Sequence, residues 1–267
     1  DIAMDLSEKL PYSSKQAADA YFFLASAGKT AAQTMSLLPK VAEFATAGNF
    51  ALENATSLLM DSQSALGLST KDVAKDQENL VRISDVLVKA NILANGSVED
   101  FATSLTNKAG SALRMVNKDV EEGVAVLAAY AMQGVKGEKA GEQLSIILRD
   151  LQTSALENAE AFRQAGINVY DSSGKMNNLG DIIGDLEGRF EGMSDKQKRS
   201  ELTLLGFQDR SVSAILTLMG MSKEIKTYEE ELRKAGGTTE EVSSKQMESF
   251  NKQVEVLKNK VINAAIG

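Results

Sequence analysis

The fold is decided by residues 134–190, which read GVKGEKAGEQLSIILRDLQTSALENAEAFRQAGINVYDSSGKMNNLGDIIGDLEGRF. This stretch predicts a glycine-rich entry, a helix, a short extended turn and a second helix. Gly166 can end the first helix, because glycine accepts positive φ at a helix C-terminus. Asp171 and Gly174 then predict a tight turn, in which the aspartate bonds the local backbone. Since β-branched and aromatic residues lie between Gly166 and Asp171, we expect one short β-like hairpin turn near residues 166–178.

Composition outside this stretch favours a mainly α fold, built as a multi-helix bundle or array. The chain has 267 residues, of which 43% are apolar and 25% charged, and this balance is typical of a globular protein with a sizeable core. Aromatic residues make up only 5%, and tryptophan is absent, which favours close packing of slim helices. The sequence holds two prolines, as expected where long helices exclude them.

Charge and residue types exclude several classes of function. The net charge is −8, so this region gains nothing from neutralising phosphates and we expect no direct nucleic-acid binding. The sequence contains neither histidine nor cysteine, which rules out Ser-His-Asp and Cys-His catalysis and the usual zinc sites. The apolar runs 123–135 and 211–222 are shorter than the ~20 residues of a membrane span, so we expect them to be buried core helices.

Three motifs share some features with phosphate-binding, calcium-binding or catalytic sites, but each predicts a structural role. The glycine-rich stretch 134–141 lacks Gly-Lys-Ser/Thr and follows no strand, so it predicts a turn into a helix with Gly141 at a close contact. Asp171-Ser-Ser-Gly174 lacks the alternating ligands and twelfth-position glutamate of a calcium loop. Paired carboxylates such as Glu121 and Glu122 lie in charged helical segments. We therefore expect no enzyme, cofactor or metal.

Capping residues and glycines divide the chain into helices. Ser13 or Ser14 predicts a helix start, as do Thr70, Ser97 and Ser194. The remaining predictions are a helix near 30–38, a new helix beginning at Pro39, a helix over 50–66, and a helix end at Gly110. Two segments, 13–66 and 97–150, each read as a serine-initiated helix ending in Ala-Gly, then an alanine-rich helix and a further helix. We interpret them as an internal duplication.

The C-terminal segment has its own pattern. Gly236-Gly237 predicts a hinge that divides a helical module, residues 1–235, from residues 236–267, the hinge and the start of a coiled-coil helix. Beyond the hinge, apolar residues recur at spacings of three and four, typical of a coiled-coil seam. The seam positions are Met247, Phe250, Val254, Leu257 and Val261. An ordinary amphipathic helix docked on the bundle explains the same pattern, and both interpretations stay open.

The order of several segments resembles the conserved core region of phage tail tape-measure proteins. The segments are SAGKTAAQTMSLLPKVAEFATAGN, SDVLVKANILANGSVEDFATSL, AAYAMQGVKGEKAGEQLSIILRDL, AGINVYDSSGKMNNLGDIIGDL and LTLLGFQDRSVSAILTLMG. The resemblance covers roughly residues 10–220. No single motif is diagnostic, whereas the order and spacing together are fairly specific. The duplication and the coiled-coil tail do not depend on it.

The resemblance implies a structural protein of a phage or phage-like tail. Its chain would set tail-tube length, occupy the tube lumen or tail tip, and leave ahead of DNA at injection. Implied partners are further copies of the chain, tail-tube and tail-tip or baseplate proteins, and tail assembly chaperones. Implied locations are the virion tail and, during assembly, the host cytoplasm. Membrane contact would occur only during injection and not through this region. Because the chain begins with Asp1, we expect a piece of a longer protein.

A helical binding module and a hydrolase are two other classes of function for such a sequence. A soluble helical binding module, such as a bacterial effector or adaptor with a partner groove, is the alternative interpretation. A long heptad-rich extension beyond Gly267, beside tail-tube genes, would favour the tail protein over such a module. A hydrolase is disfavoured by the absence of histidine and cysteine.

Overall fold

The computed structural model describes residues 11–266, and the side chains of residues 11–254. These residues form a mainly helical structure, as composition predicts. The helices are α1 (Ser14–Ser26), α2 (Ala31–Gly48), α3 (Leu52–Ala65), α4 (Val73–Leu93), α5 (Val98–Ser104), α6 (Gly110–Met115), α7 (Val120–Met132), α8 (Gly137–Glu157), α9 (Ala159–Ala165), α10 (Leu179–Arg189), α11 (Asp195–Leu204), α12 (Asp209–Thr217), α13 (Ser222–Leu232) and α14 (Thr238–Ile266), with a π-helical turn at Leu105–Ala109 between α5 and α6.

Local capping explains where several helices begin. The hydroxyls of Ser13, Ser97 and Ser194 each accept a hydrogen bond from the backbone N–H three residues later. In return, the backbone N–H of each serine donates to the side chain of that residue. These reciprocal bonds satisfy N–H groups that a helix leaves unpaired at its first turn. The start predicted at Thr70 is wrong. Asp72 is the cap of α4, accepting from the Lys75 N–H at 2.9 Å.

Two predicted helix boundaries are also wrong. Pro39 does not begin a helix but lies inside α2, which runs unbroken from Ala31 to Gly48. Proline removes one backbone hydrogen bond there, and α2 tolerates the loss because it buries Leu37, Leu38 and Val41 around it. Gly110 does not end a helix either, because α6 begins at that residue directly after the π-helical turn.

The β-like hairpin predicted near residues 166–178 is not supported. Within the described residues no strand forms there; a single antiparallel bridge joins Tyr170 to Met176. The Asn177 N–H donates to the Val169 carbonyl at 2.9 Å, and the Asp171 N–H donates to Lys175 at 2.9 Å. Because α10 begins at Leu179, the chain leaves no residues for a returning strand, and so short a pair is unstable by itself.

The core is centred on α7, which is buried along almost its whole length and packs against α4, α8 and α13. This confirms the prediction of a core helix for residues 123–131 of the apolar run, whereas residues 132–134 are exposed. The Tyr130 hydroxyl is buried in that core and donates to the Ala214 carbonyl of α12 at 3.0 Å. Burial raises the pKa of Tyr130 well above its ordinary value. Among the described helices, none is both long and apolar enough to cross a membrane.

A second contact fixes the crossing of α5 and α8. A Cβ at Gly141 would lie 2.3 Å from the Ser104 carbonyl oxygen and 2.6 Å from that of Asn107. The Ser104 hydroxyl donates to the Gly137 carbonyl at 2.7 Å across this contact. The backbone departs from helical geometry beside it, with Lys108 at φ 74°. The predicted close contact at Gly141 is therefore confirmed, and only glycine fits it.

Candidate assembly site at the base of the C-terminal helix

The first turns of α14 rest on α2 and α4. The side chains that face these helices are small and polar: Thr239 and Ser243 are each only 3% exposed. One turn further on, the Gln246 amide donates to the Ala47 carbonyl at the end of α2, at 3.1 Å. Small side chains let the helices approach closely, so α14 is held at its base by hydrogen bonds as well as by packing.

A carboxylate from α4 caps the start of α14. Asp85 is buried, and its two oxygens accept the N–H groups of Gly237 and Thr239, each at 2.8 Å. The Thr239 hydroxyl also donates to the Ser84 hydroxyl at 3.2 Å. A negative charge at this position satisfies unpaired N–H groups and opposes the positive end of the helix dipole. The Gly236-Gly237 segment, predicted as a hinge, is thus tied to α4.

Carboxylates of neighbouring helices also cap the starts of α13 and α10, which precede α14 in the chain. Glu187 of α10 accepts the N–H groups of Gly220 and Ser222 at the start of α13, at 2.8 and 3.0 Å. Glu122 of α7 accepts the Leu179 N–H at the start of α10, at 2.7 Å. The N-terminal ends of α10, α13 and α14 are therefore capped by carboxylates of neighbouring helices. These hydrogen bonds fix the positions of the helices relative to one another.

An ion pair completes the support of α13. Arg233 donates to Asp119 at 2.9 Å and to Glu229 at 2.6 Å, so it joins the end of α13 to the cap of α7. Burial raises the pKa of the Asp119 carboxyl, but the Glu122 N–H and the Arg233 guanidinium outweigh that effect. The pKa of Asp119 therefore lies below its ordinary value of 3.8. The pKa of Glu122 is instead raised above its ordinary value, because burial outweighs the ion pair with Lys118 and the hydrogen bond from the Leu179 N–H.

A groove of about 650 Å³ opens beside the base of α14, and we call it the root groove. Tyr12 and Phe50 form its wall on the body of the protein, and Met247 and Phe250 form its wall on α14. Phe50 is held edge-on against the buried Phe44, with ring centres 5.3 Å apart. Burial raises the pKa of the Tyr12 hydroxyl. Among the described residues, twelve line the groove and none of them is charged.

The predicted seam begins in the root groove and continues past it. Met247 is half-buried there, whereas Phe250 and Val254 are 48% and 47% exposed. Every residue from 248 to 254 is exposed, so α14 leaves the body after Met247. The side chains of Leu257 and Val261 lie outside the described residues, and the coiled-coil assignment stays a prediction.

The predicted turn residues lie elsewhere on the molecule. Gly166 follows the last residue of α9 with φ 74°, and Gly174 has φ 80°. The Asp171 carboxylate accepts the N–H groups of Ser173 and Lys175 at 2.8 and 3.0 Å. These bonds, with that from the Ser173 hydroxyl foremost, lower the pKa of Asp171. Gly174 helps to line a separate cavity of about 350 Å³.

Sequence reasoning missed Asp85, Tyr12 and Phe50. A signal existed for Asp85, because it is the one acidic residue within the segment ISDVLV, where a buried charge needs a partner. Tyr12 and Phe50 have no comparable signal, since their role depends on how α14 docks. No group of residues suited to hold a metal ion occurs in the part of the chain that the structure describes.

Comparisons with known proteins identify the family to which this sequence is similar. A family model described as phage-related minor tail protein matches residues 1–205. The chain is 26% identical over 222 residues to the tape measure protein of Pneumococcus phage Dp-1, covering 83% of this chain and 18% of that protein. It is 24% identical over 246 residues to the probable tape measure protein of Escherichia phage P2, covering 90% of this chain and 29% of that protein.

The chain therefore spans less than a third of the length of these curated relatives. No solved structure matches it. The family model, however, covers well over half of the chain. The chain thus belongs to the family of phage-related minor tail proteins, which are components of the virion tail.

Proposed function

We propose that this chain is the folded module of a tape-measure protein, the protein that sets the length of a phage tail tube. One observation carries the proposal: α14 is capped and packed at its base, is exposed from residue 248 to residue 254, and continues as a helix to Ile266. A helix that is anchored at one end and leaves the body of the protein after its first turns suits a chain that must extend from a fixed point. The much greater length of both relatives supports the same proposal.

Helix geometry explains how such a chain can measure. An α-helix advances ~1.5 Å per residue, so its length is proportional to the number of residues. In this proposal residues 1–235 form the module and residues 236–267 begin the measuring helix. The module itself does not measure, because its helices fold back on one another around α7.

The proposal extends to location and partners. The module sits in the lumen of the tail tube or at the tail tip, is assembled in the host cytoplasm, and leaves ahead of DNA at injection. Its partners are tail-tube and tail-tip or baseplate proteins, assembly chaperones, and further copies of itself joined through the seam of α14. We expect no catalysis by this region.

A pair of in-frame deletions tests the proposal in the phage. Removing about 70 residues from the helical extension beyond Gly267 should shorten tails by ~105 Å, seen by electron microscopy. A deletion within residues 134–190 should instead prevent tail assembly, because it removes α8 and the contact at Gly141. Proportional shortening from that second deletion would contradict the assignment of this region as a folded module.

A further inference from the structure

We propose that residues 98–116 form a two-state element. One state is the kinked pair of helices α5 and α6 described above, and the other is a single straight helix that forms when the first turns of α8 detach. The inference goes beyond the proposed function, because it concerns how the module opens and makes no use of tail length. For a module that leaves through the tail tube, the straight state is a route to a longer shape that stays helical.

The sequence of residues 98–116 is that of one continuous amphipathic helix. Its eight buried apolar residues fall within an arc of ~120° when each residue is turned by the ~100° of an α-helix. They are Val98, Phe101, Ala102, Leu105, Ala109, Ala112, Leu113 and Val116. The charged residues of the segment fall outside this arc, and no proline interrupts it. The apolar pattern therefore favours an unbroken helix.

The structure nevertheless breaks this helix at Asn107 and Lys108. Asn107 has φ −90° and ψ 78°, and Lys108 has φ 74° and ψ −31°. A residue with a Cβ rarely adopts positive φ, because the Cβ then lies too close to the following carbonyl oxygen. Lysine also lacks the short polar side chain that lets asparagine or aspartate tolerate such a backbone. The kink is therefore strained, and a straight helix would relieve the strain.

The first turns of α8 hold the kink in place. Three side chains of residues 98–116 bind this part of α8: Ser104 bonds to the Gly137 carbonyl at 2.7 Å, Asn107 to the Glu138 carbonyl at 3.0 Å and Lys108 to the Glu142 carboxylate at 3.3 Å. These bonds span the break, so they fit the kinked shape.

Gly141 makes this docking possible, because a Cβ there would collide with two backbone oxygens of the kinked segment. When α8 detaches, the bonds that oppose straightening are lost together. The docking of α8 and the kink are thus two parts of one equilibrium.

Spin labels can detect the straight state directly, because the sequence has no cysteine of its own. E99C and M115C place labels at two exposed positions, and in a straight helix their Cα atoms are ~24 Å apart. The parent chain should show the single distance of the kinked form by double electron–electron resonance. G141A should add a population near ~24 Å, because its methyl group prevents α8 from docking. G188A, where a Cβ meets nothing within 4 Å, is the matched control and should keep the parent distance.

A pair of substitutions at Lys108 separates the two-state element from a general loss of packing. K108G and K108A both remove the ion pair with Glu142. Glycine accepts the positive φ of the kink and disfavours a straight helix, whereas alanine does the reverse. In the G141A chain, the ratio of straight to kinked molecules should therefore be about tenfold lower with K108G than with K108A.

Hydrogen exchange gives the same comparison without the clash at Gly141, and it decides alone if G141A does not fold. A detached turn of helix is unstable by itself, so the amides of residues 141–144 exchange when α8 detaches. They should exchange about tenfold more slowly in K108G than in K108A. The amides of α10, which lies outside the two-state element, should exchange equally in both chains.

Two results would overturn the inference. One is a folded G141A chain that keeps only the parent distance, and the other is equal exchange of residues 141–144 in K108G and K108A. Either would mean that the kink is a fixed feature of the fold. Neither bears on the tail-length deletions, which test the proposed function separately.

Discussion

The contact at Gly141 supports the sharpest prediction about stability, which concerns G141A. The new methyl group would lie 2.3 Å from the Ser104 carbonyl oxygen and 2.6 Å from that of Asn107, whereas ordinary contacts begin near 3.4 Å. One or both helices must therefore shift by about 1 Å. Neither oxygen can rotate away, because both belong to the backbone. The neighbouring Ser104 hydroxyl bond to the Gly137 carbonyl would lengthen with the shift.

The expected cost of G141A combines these effects. Overpacking of this kind costs about 1–3 kcal/mol, and each weakened hydrogen bond adds about 1 kcal/mol. Alanine regains up to about 1 kcal/mol through its higher helix propensity. We therefore expect the free energy of unfolding to fall by about 1–3 kcal/mol, measured by urea denaturation followed by circular dichroism.

A matched control separates the contact from the general effect of replacing glycine. Gly188 lies in α10, and a Cβ there meets nothing within 4 Å. G188A should leave stability unchanged or raise it by up to about 1 kcal/mol. If G141A were as stable as G188A, the α5–α8 crossing would not depend on the absence of a side chain, and the argument would fail.

Three further predictions concern polar groups that join one helix to another. D85A should destabilise the protein by about 1–3 kcal/mol and speed hydrogen exchange at the first amides of α14, with D85N milder because one acceptor remains. Because the folded-state pKa of Asp119 is lowered, its stabilising effect is present above about pH 4 and is lost as the pH falls through that pKa. D119N should therefore be less stable than the parent at pH 7, and the difference should shrink as the pH falls below about 4, by urea titration at each pH. Y130F should cost about 1 kcal/mol, since it leaves the Ala214 carbonyl without its donor; an unchanged urea midpoint would mean that the hydroxyl bond contributes nothing net.

Local sequence features were sufficient where neighbouring residues decide the structure. Ser13, Ser97 and Ser194 begin helices because each bonds to amides within its own first turn. The absence of histidine and cysteine likewise excluded Ser-His-Asp and Cys-His catalysis without any knowledge of the tertiary structure. The order of motifs also led to the tail-protein family, which the family model shows. The internal duplication, the module boundary at residue 235 and the coiled-coil seam stay predictions.

Local features failed where packing outweighs them. Pro39 ordinarily begins a helix, yet buried contacts keep α2 helical through it, whereas the chain kinks at Asn107 and Lys108 and a new helix begins at Gly110. The opposite happened at residues 166–178, where extended-favouring residues form one bridge and no strand, because too few residues remain for a ladder.

The sequence by itself determined that this protein is mainly helical and acidic, that it lacks histidine and cysteine, and that it resembles the tail-protein family. Only the tertiary structure decided how the C-terminal helix is held. Asp85 and the Gly237 amide that it binds are 152 residues apart, and Tyr12 and Met247 line the same groove only because α14 packs on α2. Residue spacing governs bonds within a turn of helix, whereas partners so distant in sequence are chosen by the packing of the whole core.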